Sequence, residues 1–90
     1  MQVYRSAMGL GPNIALSLLD LSESGLRVVL KEAATVGQEV EVNLDSAAGR
    51  ALKTTARVVW IVPGMDGTFV AGLRLQKSIS YIDLQAFTRA

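Results

Sequence analysis

The chain has 90 residues with Lys plus Arg 9, Asp plus Glu 8 and a net charge of +1, too little to neutralise the several phosphates that general DNA or RNA binding requires. Half of it is hydrophobic and 19% is charged, the composition of one globular domain that folds alone or as a small homo-oligomer. No histidine and no cysteine are present, which removes the common metal ligands, the commonest general base and the strongest nucleophile, so the chain is expected to bind and not to catalyse, with no metal and no cofactor.

In chain order, residues 1–11 read as a flexible N-terminal arm ending in the turn Gly9-Leu10-Gly11-Pro12-Asn13. Ile14, Leu16 and Leu18 alternate with Ala15, Ser17 and Leu19, the period of a half-buried strand. A turn at Ser22 to Gly25 follows. Past Gly37, Val40, Val42 and Leu44 share one strand face and Glu39, Glu41 and Asn43 the other, which reads as solvated. After turn chemistry at Asp45 to Gly49, Leu52, Thr54, Ala56, Val58, Trp60 and Val62 alternate with Lys53, Thr55, Arg57, Val59 and Ile61. The second half of that strand is apolar on both sides, so its end is expected to be covered and Trp60 to pack in the core. Pro63 to Gly67 is a hairpin loop of about five residues, and Phe69, Ala71, Leu73 and Leu75 continue as a strand.

Five or six strands with hairpin-length links predict a barrel or sandwich over 12–77. Ser80-Tyr81-Ile82-Asp83 has the shape of a capping box, and Ile79, Ile82 and Ala86 beside Tyr81, Leu84 and Phe87 predict a short helix over 78–90. Met8, Leu10 and that helix would make an apolar partner surface. One domain therefore covers 1–90. The longest apolar runs, such as Val58 to Pro63, fall far short of the roughly 20 residues of a membrane helix, and Met1 to Gly9 has no signal-peptide core, so cytoplasm is the expected location.

One segment has informative spacing: Asp20-Leu21-Ser22-Glu23-Ser24-Gly25. It resembles the Asp/Asn-x-Ser-x-x-Gly signature of the PilZ family, with Asp20, Ser22 and Gly25 on the fixed positions. Ala56 to Trp60, Val70 to Leu75 and Ile82 to Phe87 are similar to the family's paired strands and closing helix. The resemblance covers residues 12–90 and implies a mainly β fold, a six-stranded antiparallel PilZ-type barrel with a short C-terminal α-helix. It also implies a receptor or adaptor for the bacterial second messenger cyclic di-GMP, which signals to an unidentified protein effector.

The residues suit that ligand. Asp20 can accept hydrogen bonds from a guanine edge or from amides of its own turn, Ser22 can donate to a phosphate or guanine, and Gly25 permits close backbone approach. The same three residues also build an ordinary turn between strands, and both readings stand. The family's Arg-x-x-x-Arg segment is matched only by Arg5, because Met1 occupies the first position. Losing one bidentate arginine contact costs on the order of 2 to 3 kcal/mol, about a hundredfold in affinity. Arg27, Arg57 and Arg74 belong to outward strand faces, and Arg74 is the expected helper at a phosphate. The resemblance leaves an alternative: a degenerate PilZ domain that binds no nucleotide and acts through protein contacts or oligomerisation.

Overall fold

The computed structural model of the chain describes residues 1–5, 11–45, 49 and 51–88, the last three as backbone only. Six strands, β1 (Gln2–Tyr4), β2 (Ala15–Leu21), β3 (Gly25–Leu30), β4 (Glu39–Asp45), β5 (Ala51–Pro63) and β6 (Phe69–Leu75), precede one helix, α1 (Tyr81–Thr88). All strand pairs are antiparallel in a single sheet of order β1-β4-β5-β6-β3-β2, curled into a half-barrel. The expected mainly β, six-stranded PilZ-type barrel with a C-terminal helix is what forms.

The alternation that predicts the strands also sets the inner face. Leu26, Val28 and Leu30 of β3, Val40, Val42 and Leu44 of β4, Ala56 and Val58 of β5, and Ala71, Leu73 and Leu75 of β6 are all buried. Ile79, in the lead-in to α1, adds to this core, and Leu84 of α1 packs against it. The helix starts as its sequence predicts, with Asp83 N–H donating to Ser80 Oγ at 3.2 Å. Tyr81 and Ile82 face solvent.

Four expectations are corrected. The arm over 1–11 is not free at its start: Gln2–Tyr4 pairs with β4 and Val3 is fully buried, because the edge of β4 offers backbone partners and the core offers Val3 a place. Residues 6–10, including Met8 and Leu10 of the proposed apolar surface, lie outside the described residues, as do 46–48 of the turn after β4. β2 departs from strict alternation, since register shifts after Ala15 and Leu18 leave Leu16 and Leu19 exposed. On β5 a shift between Val58 and Trp60 turns Trp60 outward, and neither it nor Val62 is covered. Glu41 is buried beneath an ion pair with Lys53 at 3.4 Å, unlike the exposed Glu39.

The half-barrel is joined at its margins by a small clasp. Ile14 N–H donates to Val3 C=O at 2.9 Å, and Asn13 Oδ1 accepts from Val3 N–H at 2.9 Å and Ala15 N–H at 3.0 Å. One asparagine thus bridges β1 and β2, the terminal strands of the sheet.

Candidate functional site

Ser22 and Gly25 close the β2–β3 hairpin. Ser22 N–H donates to Gly25 C=O at 2.8 Å, Ser22 Oγ–H donates to the same oxygen at 3.1 Å, and Gly25 N–H donates to Ser22 Oγ at 3.2 Å. The hydroxyl therefore braces the turn. Gly25 is required for space: a Cβ there would lie 2.6 Å from the backbone oxygen of Leu73 on β6. The carbonyls of the turn are also used, since Leu75 N–H donates to Ser24 at 2.9 Å and Ile79 N–H donates to Glu23 at 2.8 Å. The turn is bolted to the end of β6 and to the segment that leads into α1.

Asp20 does not cap its own turn. Its Oδ2 accepts from Arg27 Nε at 2.7 Å and from Arg27 Nη2, across the β2–β3 pair. The hydrogen bonds and charge of that guanidinium hold the Asp20 carboxyl below its ordinary value of 3.8, and the carboxylate in turn raises Arg27.

Register places these side chains in rows on the outward face. One row runs Trp60, Gly72, Arg27, Asp20 across β5, β6, β3 and β2. The next runs Glu39, Arg57, Arg74, Gly25 across β4, β5, β6 and β3. Trp60, 39% exposed, lies over Gly72, where a Cβ would come within 2.2 Å of the indole Nε1. Glycine at 72 lets the indole lie flat against the sheet with its other face to solvent. Arg57 is tied to Glu39 Oε1 at 3.2 Å, whereas Arg74, between Arg57 and Gly25, has no hydrogen-bond or ion-pair partner among the described residues.

A flat aromatic, a free guanidinium, an ionised carboxylate and a glycine-floored turn on one face can hold a ligand with an aromatic base and a phosphate. The family model for the PilZ domain matches residues 6–90. The chain belongs to the PilZ domain family. PilZ domains are cyclic di-GMP receptor domains. No curated protein and no solved structure matches this PilZ chain significantly.

Of the residues that the sequence singles out, Asp20, Ser22, Gly25 and Arg74 come together on this face. Arg5 does not join them. It follows β1, its Nη2 donates to Glu32 Oε1 at 2.7 Å, and its carbonyl accepts from Gln38 Nε2 at 3.0 Å. Glu32 lies past the far end of β3 from the Ser22–Gly25 turn, and the 6 residues of β3 span roughly 17 Å. Residues 1–5 also precede the part of the PilZ domain that the family model matches.

Pattern reading predicts Trp60 in the core and Arg27 as a solvated charge on an outward face; the structure turns Trp60 outward and keeps Arg27 on that face, paired with Asp20. For Arg27 a signal was available: a hairpin closed by Ser22 and Gly25 puts Asp20 opposite Arg27 by register alone. Hollows of about 190 and 320 Å³ lie elsewhere, around Met1, Leu18 and Asp45 and around Gln2, Asn43 and Lys53, and hold none of the singled-out residues. No helix among the described residues is long and apolar enough to cross a membrane.

Proposed function

We propose that the outward face beside the Ser22–Gly25 turn binds cyclic di-GMP and that the chain passes the signal on through protein contacts. The observation that carries this reading is the convergence, on one sheet face, of the family's Asp-x-Ser-x-x-Gly turn with a half-exposed Trp60 and with Arg74, which has no partner among the described residues. In this reading Asp20 accepts from a guanine edge, Ser22 donates to the ligand, Gly25 admits it to the backbone, Trp60 stacks on a base and Arg74 meets a phosphate. Arg5 joins only by leaving Glu32 and Gln38 and moving toward the turn with the segment that carries it. Because Glu23 and Ser24 carbonyls hold Ile79 and Leu75, a ligand that shifts the turn also shifts the base of α1, where Tyr81 and Ile82 are exposed to a protein effector.

A second reading rests on Arg5. Its engagement by Glu32 and the methionine at position 1 fit a PilZ domain that binds no nucleotide and works through protein contacts or self-association. Titration calorimetry with cyclic di-GMP separates the two. Saturable heat that Arg5→Ala and Ser22→Ala each weaken supports the receptor; absence of heat at several hundred micromolar ligand overturns it in favour of the second reading.

A further inference from the structure

We infer that the open edge of β5, Val59 to Pro63, pairs antiparallel with the same edge of a second copy of the chain about a two-fold axis. The inference goes beyond the nucleotide question and holds under either reading of it.

β5 outlasts β4. Their register ends with Glu39 opposite Arg57, and two further bonds extend it by one residue: Gly37 N–H donates to Val58 C=O at 2.7 Å, and Val58 N–H donates to Gln38 C=O at 3.0 Å. From Trp60 to Pro63 the strand pairs with β6 on one side. On the other side no backbone partner is present among the described residues.

The alternation of an antiparallel ladder decides what this open side presents. Gly64 N–H donates to Thr68 C=O at 2.8 Å across the hairpin. Counting back by twos, Val62 and Trp60 turn their backbone groups to β6, whereas Ile61 turns both its N–H and its C=O to the open side, and Pro63 its C=O. Pro63 therefore costs the existing ladder no bond.

Sheet edges are protected by shortness, bulges and charge. β1 has 3 residues, and β2 carries two register shifts. The open part of β5 begins at the shift between Val58 and Trp60, but no charged residue occurs from Val58 to Met65. Val59, Trp60 and Val62 are exposed along it.

The occupant follows from self-complementarity. With the two-fold axis at Ile61, the two copies exchange the N–H and C=O of that residue, the closed pair of an antiparallel ladder. Trp60 of each copy then stands opposite Val62 of the other, an aromatic against a β-branched residue, and no like charges face each other. Val59 to Pro63 of one copy fills the open lane of the other, which ends where Gly37 and Gln38 hold Val58. Each hairpin tip, with Met65 81% exposed, arrives where the other copy exposes Val36. The second copy meets only the rim of the indole, so the outer face of Trp60 stays free. A two-fold contact closes as a dimer and does not propagate into a fibre. It is small, which places it in the transient class.

Sedimentation equilibrium from about 10 µM to about 1 mM chain, combined with NMR at both ends of that range, is the test. Parent protein and Val62→Lys are compared, with Ser78→Lys as a control that adds the same charge at an exposed site past the opposite end of β6. Circular dichroism checks that each variant folds. The expected result is reversible monomer–dimer association that Val62→Lys weakens at least tenfold and Ser78→Lys does not. The Ile61 amide should exchange more slowly with solvent as concentration rises. An isotope-filtered mixture of labelled and unlabelled chain should show an intermolecular NOE between the Hα atoms of Trp60 and Val62. A monomer mass across the whole range, with Ile61 exchange unchanged, overturns the inference. Association that Val62→Lys leaves intact, without that NOE, shows that the copies meet by another surface and also overturns it.

Discussion

Asp20 and Arg27 show how one side chain acquires a role from its opposite number. Their ion pair is exposed, so its contribution to stability is small, and it favours the ionised form of Asp20. Because the folded chain holds the carboxylate ionised more firmly than the unfolded chain does, the pair's contribution is complete above the ordinary value of 3.8 and is lost as pH falls below it. Urea midpoints of the parent and Asp20→Asn, measured at pH 6 and pH 3, test this. The parent is expected to lose more stability between the two pH values than the variant does, and equal losses would remove the pair from the acid limb. The identities of Asp20, Ser22 and Gly25 were legible in the sequence because a short motif carries them. Their neighbours were legible only in part: the hairpin closed by Ser22 and Gly25 puts Arg27 opposite Asp20, whereas Arg74 comes to the turn through the β3–β6 register, which a motif does not encode.

At the scale of elements, the turn and β5 carry what simple alternation misses. A period of two predicts that Trp60 shares the face of Val58, and it would do so in an uninterrupted strand. The shift between Val58 and Trp60 adds one residue, so Trp60 pairs with Gly72 and Ile61 takes the inward place opposite Ala71. A bulge of this kind leaves no mark in hydropathy when both faces near it are apolar, as Val59 to Val62 are. Gly25 on β3 and Gly72 on β6 then differ in a testable way. At Gly25 an added methyl meets the Leu73 backbone oxygen at 2.6 Å and the strands must part; at Gly72 it meets the Trp60 indole, which can swing outward. Gly25→Ala is expected to cost about 1–3 kcal/mol. Gly72→Ala is expected to cost about 1 kcal/mol and to shift Trp60 emission to the red as the ring leaves the sheet. Denaturant titration followed by tryptophan fluorescence reads both, and unchanged emission in Gly72→Ala would show that the indole does not lie over that glycine.

Across the whole molecule, the sheet curls because one face must bury Val3, Val28, Leu30, Val40, Val42 and Val58 together, and the seam between its terminal strands is where that curl is fixed. The barrel class was legible from strand number and spacing, whereas β1 was not: three residues are too few for a periodic signal, and their partners Glu41 to Asn43 are distant in sequence. The seam depends on Asn13, whose Oδ1 takes N–H groups from both Val3 and Ala15. Asn13→Ala leaves those two donors without their acceptor, at a cost of about 1–3 kcal/mol. For a domain of this size each kcal/mol moves Tm by roughly 4–8 °C, so the variant should melt about 10 °C below the parent. Asn13→Asp, which keeps an acceptor in the same place, should recover most of that loss. If Asn13→Ala melted within a degree or two of the parent, the margins of the sheet would be held by the buried Val3 and the Ile14 backbone bond alone, and the clasp would have no share in closing the half-barrel.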